Sequence, residues 1–296
     1  MRDPIRTDWT QRVADGLEPN PANLRDHLKQ VHQDHPGFTE GCASGCRDES
    51  GRTSYEWLAE AVDPAKHRSV LDLACGSGPL LELCHQRLPE DVILTGVDMA
   101  PEELALARAR LPAGRVQLIQ AQAQNLDMIP EGSIDVVLCH WALTLMDPVG
   151  PVLAEMARVL APGGRFAAIV DGPMDTAPGY AKVHDLIYGY VQAELPGYGD
   201  VDLGDPRIRD TKSLLALVRA AFPEASVEVQ SNLVTMEGPA EQVAEDAAGF
   251  FYAAFVLSAD RRAAMLADLA TLIAGTNTPA NGTFIMPINR IVVTLG

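Results

Sequence analysis

Apolar residues in the middle of the chain fall into short uninterrupted runs, and the segments between these runs have helical spacing. Five runs are predicted to be buried strands, at residues 69–74, 92–97, 116–121, 134–139 and 165–170. The intervening residues 79–88 and 101–111 both start with proline, which suits the first turn of a helix. This alternation of strand and helix predicts a parallel sheet with helices packed on both faces.

Helical spacing also occurs outside this core. Helices are predicted at residues 21–31, 53–62, 149–160, 180–195, 212–222, 240–257 and 259–274. Asn20 precedes the first of them as a helix cap, and residues 35–52, rich in Gly, Ser, Cys and charge, are predicted to be a loop. Strands at 226–236 and 284–295 complete a doubly wound, mostly parallel seven-stranded α/β sheet.

The same pattern divides the chain into four parts. An N-terminal helical lid is expected at residues 1–62 and the core of the sheet at 63–171. Residues 172–210 exceed the ~2–6 residues of an ordinary connection, and long insertions often cover a site, so they are predicted to be a cap. Residues 211–296 return to the sheet and carry a second helical insertion at 239–275.

Composition narrows the class of protein. The 296 residues are 47% apolar, without a run of ~18 apolar residues or a secretory segment at the N-terminus, so we expect a cytoplasmic protein. The five cysteines are dispersed and odd in number, which favours reduced thiols. Cys42 and Cys46 follow His32 and His35 at a spacing unlike common zinc sites, and no metal site is predicted.

The charge of the chain bears on its partners. A formal net charge of −17, without a basic patch, repels a phosphate backbone, so nucleic acid is not an expected partner. We expect a small-molecule substrate, and leave open whether the chain is a monomer or a homodimer.

The strongest chemical signal is VLDLACGSG at residues 70–78, between a predicted strand and a predicted helix. Gly76 and Gly78 have no Cβ to keep a ligand away from the backbone, and the helix amides beyond them can face an electron-rich group. Leu81 occupies the third glycine position of the dinucleotide fingerprint, which disfavours NAD.

Residues 72–78 resemble D-x-x-x-G-x-G, the first motif of the class I S-adenosylmethionine-dependent methyltransferases. GVDMAPEELALARAR at 96–110 resembles the second region of this family, where an acid at the strand end binds the ribose hydroxyls. The resemblance assigns that role to Asp98, whose carboxylate offers two acceptor oxygens, and places Met99 against the adenine.

Residues 121–137 and 153–170 resemble the next two regions of the family, so the likeness covers about 69–170. Gln122 stands where an aspartate commonly accepts from the adenine amine, and its carbonyl can accept the same bond. The resemblance implies a Rossmann-like fold, with S-adenosylmethionine as cofactor and S-adenosylhomocysteine as product. The cofactor contacts it implies are Asp72, Ala74, Gly76, Ser77, Gly78, Asp98, Met99, Gln122, Ala123, Cys139 and Tyr55.

Methyl transfer is an in-line displacement in which alignment supplies much of the acceleration. His140 follows the fourth strand, where ligands of α/β sheets bind, and is the candidate general base. The alternative is that His140 and Trp141 only wall the methionine end of the cofactor. Trp141, His184 and Tyr188 are candidate substrate contacts, although the last two also suit lid packing.

The resemblance implies methyl transfer, and the large apolar cap favours a bulky, poorly charged acceptor. A bacterial secondary metabolite fits, whether polyketide, peptide antibiotic or aromatic, with oxygen, nitrogen, carbon or sulfur as acceptor atom. Two alternatives keep the cofactor: a non-methylating cyclase with the same fold, and a binding module that senses the cofactor. An NAD-dependent oxidoreductase is a third.

Overall fold

The computed structural model describes residues 3–274 and 280–296, which contain a seven-stranded sheet. Its strands are β1 (Ser69–Leu73), β2 (Ile93–Asp98), β3 (Val116–Gln120), β4 (Ile134–His140), β5 (Leu160–Asp171), β6 (Ser226–Pro239) and β7 (Asn281–Thr294). The spatial order is β3-β2-β1-β4-β5-β7-β6. Strands β1 to β5 run parallel and β7 is antiparallel to β5, so the predicted mostly parallel sheet is confirmed.

Helices precede, separate and follow the strands. They are α1 (Asp8–Ala14), α2 (Pro21–Asp34), α3 (Phe38–Gly45), α4 (Ser54–Ala59), α5 (Pro79–Arg87), α6 (Pro101–Arg110), α7 (Val149–Val159), α8 (Tyr180–Glu194), α9 (Thr211–Ala221), α10 (Ala240–Phe250) and α11 (Ala259–Ile273). The Asn20 side chain caps α2, as predicted, by accepting from the backbone N–H groups of Ala22 and Asn23. None of the described helices has both the length and the apolar character that a bilayer span requires.

The structure corrects the prediction of a loop at 35–52. Helix α3 forms within it because Cys42 and Ala43 are fully buried, and this burial outweighs the weak helix propensity of the surrounding glycines. Helix α1 was not predicted at all, and a reciprocal capping box between Thr7 and Thr10 begins it. The helix predicted at 240–257 ends at Phe250 and is followed by a short 3-10 helix, Tyr252–Val256.

Strand β5 also begins earlier than predicted. The sequence predicts a strand at 165–170, but the strand starts at Leu160 and includes residues 162–164 as an irregularity in its pairing with β4. Gly163 has a φ of 74°, and a Cβ on Gly164 would lie 2.7 Å from the Ala161 carbonyl oxygen. The two glycines therefore let the strand bulge instead of ending.

The described residues belong to two compact units. The first comprises the described parts of Met1–Thr53, Pro173–Leu203 and Leu233–Pro287, and thus helices α1–α3, α8, α10 and α11. The second comprises Ser54–Gly172, Gly204–Asn232 and Ile288–Gly296. The second unit contains the glycine-rich loop and the strands β1–β5, and α4 lies within it.

The core of the second unit is built on the central strands. Val136, Val137, Leu138 and Cys139 of β4 are all fully buried, as expected for a parallel strand with both faces covered. Helix α7 packs on one of these faces through Val152 and its neighbours. The carboxyl ends of β1, β2 and β4 are therefore held in place by a continuous apolar core.

Candidate active site

The loop after β1 is shaped by residues with positive φ. Ala74, Gly76 and Gly78 have φ values of 58°, 53° and 83°. A Cβ on Gly76 would meet only Glu103 Oε2, at 3.8 Å, whereas one on Gly78 would lie 3.2 Å from the Ala107 Cβ. Gly76 thus keeps the backbone approachable from outside, while Gly78 lets α6 pack against the start of α5.

Asp98 at the end of β2 holds this loop. Its Oδ2 accepts from the Gly76 N–H at 2.9 Å, and its Oδ1 accepts from the Ala100 N–H at 2.8 Å. The carboxylate thereby ties the glycine-rich loop to the start of α6. A carboxylate oxygen can accept more than one hydrogen bond, so this group can also serve a ligand hydroxyl.

Asp72 in β1 is a buried carboxyl group, and its Oδ2 has no hydrogen-bond partner among the described residues. Burial, followed by the charge of Asp98, raises the pKa of Asp72 to about 8. Buried polar atoms are almost always hydrogen-bonded, so this oxygen is suited to accept from a bound ligand. A cofactor that carries an ammonium group and vicinal hydroxyls fits the two acids, Asp72 and Asp98.

Gly96 was not singled out from the sequence, yet the loop depends on it. It pairs with Asp72, and a Cβ there would lie 2.6 Å from Leu81 Cδ1 and 2.9 Å from both Cys75 Sγ and Leu118 Cδ2. The strand must therefore lack a side chain at this point for α5 and the loop to pack on it. A glycine inside a buried strand is the sequence signal for such a close approach.

The predicted adenine contacts lie at the same edge of the sheet. Asp98 pairs with Gln120, and the Ala121 N–H donates to the Asp98 carbonyl oxygen at 3.0 Å. Residues 121–123 therefore begin beside Met99, whose carbonyl oxygen accepts from Gln120 Nε2 at 3.4 Å. Gln122 is exposed to solvent there and Ala123 is half-buried.

Three further predicted cofactor contacts are buried side chains. Cys139 is fully buried within β4, where burial raises the pKa of its thiol to about 12. Ser77 is buried, and its carbonyl oxygen accepts from the Arg110 guanidinium at 3.1 Å. Tyr55, on α4, is also buried. Cys139 and Ser77 can therefore present mainly backbone groups to a ligand, whereas Tyr55 is placed by its contact with His140.

His140 ends β4 inside an aromatic and hydroxyl environment. Its Nε2 lies 2.9 Å from Ser54 Oγ, its ring stacks on Tyr55 with centroids 3.8 Å apart, and the Trp141 ring meets it edge-on at 5.0 Å. Burial lowers the pKa of His140 to about 3. The imidazole is therefore neutral at physiological pH. Trp141 follows with a φ of 58°.

His184 and Tyr188 lie on α8, in the first unit. Their rings stack at 4.1 Å, and Tyr188 also meets the Tyr198 ring at 5.8 Å. His184 lies 6.3 Å from the Phe251 ring. Within that unit the two side chains are thus part of an aromatic cluster, and substrate contact stays a prediction for both.

The side chains considered for zinc contact other residues. His32 Nε2 lies 2.8 Å from the Tyr252 hydroxyl, and the His35 ring lies 4.6 Å from Phe255. The hydrogen bond to Cys46 and burial raise the pKa of Cys42. Across residues 3–274 and 280–296, no three His, Cys, Asp or Glu side chains are grouped so as to hold a metal.

Part of this chain is similar in sequence to known methyltransferases. Residues 71–168 match the family model described as a methyltransferase domain. The demethylmenaquinone methyltransferase of Thermus thermophilus is 32% identical over 154 residues, which cover 50% of this chain and 67% of that protein. The trans-aconitate 2-methyltransferase of Methylobacterium nodulans is 39% identical over 120 residues, which cover 40% and 44%. The chain thus spans about two thirds of the first relative and less than half of the second.

A solved structure extends the likeness in fold to the rest of the chain. The [4+2]-cyclase SpnF superposes with a TM-score of 0.55 at 16% identity, covering 99% of both chains. At this identity the likeness concerns the fold alone. The matched domain and the two-thirds coverage of a methyltransferase place the chain in the class I, Rossmann-like S-adenosylmethionine-dependent methyltransferases, with S-adenosylmethionine as its cofactor.

Proposed function

We propose that this enzyme methylates a small, bulky and poorly charged organic molecule, of the kind found among bacterial secondary metabolites. The observation that carries this proposal is the cluster of neutral and aromatic side chains beyond β4, made by Tyr55, His140 and Trp141. Flat or apolar acceptors pack well against such rings. Polyketides, peptide antibiotics and aromatics meet this description, and methylation would then be a step of natural-product or antibiotic biosynthesis.

We propose the following roles for the cofactor-binding residues. S-adenosylmethionine supplies, when bound, a methyl group made electrophilic by its sulfonium. Asp72 balances the ammonium group, Asp98 accepts from the ribose hydroxyls, and Gln122 accepts from the adenine amine. Gly76 lets the ligand approach the backbone because no Cβ fills that space. Ala74, Ser77, Gly78, Met99, Ala123 and Cys139 line the same edge of the sheet through backbone or apolar contacts.

We propose that His140 takes the proton that the acceptor loses. Its low pKa keeps the ring in the neutral form that this role requires, although it also makes the ring a weak base. A hydroxyl that has received a methyl group carries a strongly acidic proton, which even a weak base removes. His140→Asn is expected to lower kcat by about 100-fold with unchanged S-adenosylhomocysteine affinity. An unchanged kcat would mean that His140 lines the site without acting as a base.

Turnover can be tested without knowing the acceptor. The purified enzyme is incubated with S-adenosylmethionine and an extract of a host strain deleted for this gene, and the products are followed by mass spectrometry. The expected result is release of S-adenosylhomocysteine together with one compound heavier by one methyl group. If the enzyme binds S-adenosylhomocysteine but no extract fraction yields a methylated product, methyl transfer is contradicted.

A non-methylating reaction is the alternative, since a cyclase shares the fold over the whole chain and fold does not determine reaction. A product of unchanged mass would favour it, whereas binding without any product would favour a cofactor-sensing module. We further propose a cytoplasmic location, because the five cysteines are free thiols. Light scattering would decide between monomer and homodimer.

A further inference from the structure

Trp141, directly after β4, has an unusual backbone conformation. Its φ of 58° and ψ of −17° lie in the left-handed region, which is unfavourable for a bulky side chain. Among the described residues, only Ala74 shares a positive φ without being glycine. Ala74 belongs to the cofactor-binding loop, and such conformations persist only where the surroundings impose them.

Asp171, the last residue of β5, holds the side chain of Trp141. The indole Nε1–H donates to Asp171 Oδ1 at 3.0 Å, while the Trp141 backbone N–H donates to the Ile169 carbonyl oxygen at 2.9 Å. The indole ring is itself buried. Backbone and side chain of Trp141 are thus both bound to the end of the neighbouring strand.

Arg209 closes this arrangement from the far end of the long connection after β5. Its Nε lies 3.7 Å from Asp171 Oδ2, and one terminal guanidinium nitrogen lies 3.4 Å from the Thr144 carbonyl oxygen. The Thr144 hydroxyl in turn donates to the Trp141 carbonyl oxygen at 2.7 Å. Trp141, Asp171, Arg209 and Thr144 therefore form a closed ring of polar contacts, here called the Trp141 clamp.

The segment that leads to Arg209 packs against the turn that follows Trp141. A Cβ on Gly204, whose φ is 89°, would overlap the Thr144 carbonyl oxygen and lie 2.7 Å from Leu145 Cα. The Asp205 N–H donates to the Met146 carbonyl oxygen at 3.3 Å. The segment from Gly204 to Arg209 therefore passes close against the turn that carries Trp141.

The clamp lies where the reaction is expected to occur. β4 pairs with β1 through Leu138 and Asp72, so Trp141 lies beyond the strand ends at the level where the cofactor-binding loop begins. The Trp141 ring also meets His140 edge-on. We propose that Asp171 and Arg209 are positioning residues that hold Trp141 in its left-handed conformation, so that its indole aligns the acceptor beside His140. The proposal rests on the methyl transfer proposed above.

The clamp can be tested first without any acceptor. In ¹⁵N-labelled protein, the indole N–H signal of Trp141 is identified by its loss in Trp141→Phe. Asp171→Ala should shift this signal and speed its exchange with water, whereas Asp171→Asn, which keeps an acceptor oxygen, should preserve its slow exchange. An unchanged indole signal in Asp171→Ala would overturn the proposal, and thermal melts establish that each variant is folded.

Kinetics then test the consequence for the acceptor. Asp171→Ala and Arg209→Met are expected to lower kcat/KM for the acceptor by about 10–100-fold, because small misplacements near the reacting atoms are costly. Asp171→Asn and Arg209→Lys should recover most of that loss. S-adenosylhomocysteine affinity, measured by calorimetry, should change by less than about twofold. Equal losses in cofactor affinity and in kcat/KM would mean a general structural defect and overturn the proposal.

The two proposals fail in different ways. If no acceptor is ever methylated but the Trp141 signal depends on Asp171 as expected, the proposed function falls while the anchoring of Trp141 stands. If methylation is found and Asp171→Ala leaves both the signal and kcat/KM unchanged, the positioning role falls and the methyl transfer stands.

Discussion

At the scale of single residues, hydrogen-bond partners distinguish two buried carboxyl groups of the same residue type. Asp72 and Asp98 are both aspartates at the ends of neighbouring strands, yet they differ in their contacts. Asp98 accepts from two backbone N–H groups, whereas Asp72 Oδ2 accepts no hydrogen bond from any residue in the described part of the chain. Burial and the charge of Asp98 raise the pKa of Asp72, so a cation bound beside this carboxyl group would favour its ionised form.

The raised pKa of Asp72 predicts an unusual pH dependence of stability. Its pKa is about 8 in the fold against an ordinary value of 3.8, so between about pH 4 and pH 8 the folded state keeps a proton that the unfolded state releases. Asp72 therefore costs stability that grows as pH rises through this window. Asp72→Asn should raise the Tm of the cofactor-free protein at about pH 8 and have little effect near pH 4.

Thermal melts across this pH range provide the measurement. Glu90→Gln, at an exposed position, is the control and should show no difference that grows with pH. Asp72→Asn should also bind S-adenosylhomocysteine more weakly, because an amide cannot balance an ammonium group. A stabilisation that stayed constant with pH would show that Asp72 is ionised in the folded protein.

At the scale of elements, the site depends on how closely α5 and the cofactor-binding loop pack on β2. Leu81 on α5 and Cys75 in the loop would both collide with a side chain at Gly96. The strand is buried on both faces, so these neighbours have little room to move. The absence of one Cβ is thus part of what positions the loop.

Gly96→Ala is expected to destabilise the protein by about 1–3 kcal/mol through overpacking. Because the loop itself is displaced, affinity for S-adenosylhomocysteine should fall as well. Gly150→Ala on α7 is the matched control, since nothing lies within 4 Å of the added methyl group, and it should be neutral or slightly stabilising. Denaturant unfolding and calorimetry measure the two effects, and wild-type values for Gly96→Ala would disprove the packing constraint.

At the scale of the whole molecule, the predicted site residues are divided between two compact units. Every implied cofactor contact belongs to the unit that contains the glycine-rich loop and β1–β5, whereas His184 and Tyr188 belong to the other. That other unit is assembled from three separate stretches of the chain. Of the predicted acceptor contacts, Trp141 therefore belongs to the same unit as the cofactor contacts, whereas His184 and Tyr188 do not.

Hydrogen exchange of backbone amides should differ between the two units when S-adenosylhomocysteine binds. Saturating S-adenosylhomocysteine is expected to protect the backbone amides of residues 74–78 and 98–100, because ligand contacts and loop ordering suppress local opening there. Helix α11, in the other unit, should exchange at an unchanged rate. Protection in α11 without protection of residues 74–78 would contradict the proposed cofactor site.

Much of the fold and part of the candidate site could be predicted from local sequence patterns. The strands β1–β5, the cap at Asn20 and the motif at residues 72–78 depend on neighbours close in sequence, so periodicity and residue type reveal them. Helix α3 was missed because its stability comes from burial of Cys42 and Ala43 by distant parts of the chain. The placements of the individual site residues stay predictions.

The amino-acid sequence by itself determined the class of the sheet, the glycine-rich loop and the family of the enzyme, because these depend on short-range spacing. Only the tertiary structure decided that Asp72 Oδ2 has no hydrogen-bond partner among the described residues, that Gly96 admits no side chain, and that Asp171 and Arg209 meet at Trp141. These features join residues far apart in the chain. The burial of these residues and the electrostatic interactions between them arise only when the fold brings the strands side by side. Local sequence patterns therefore cannot predict them.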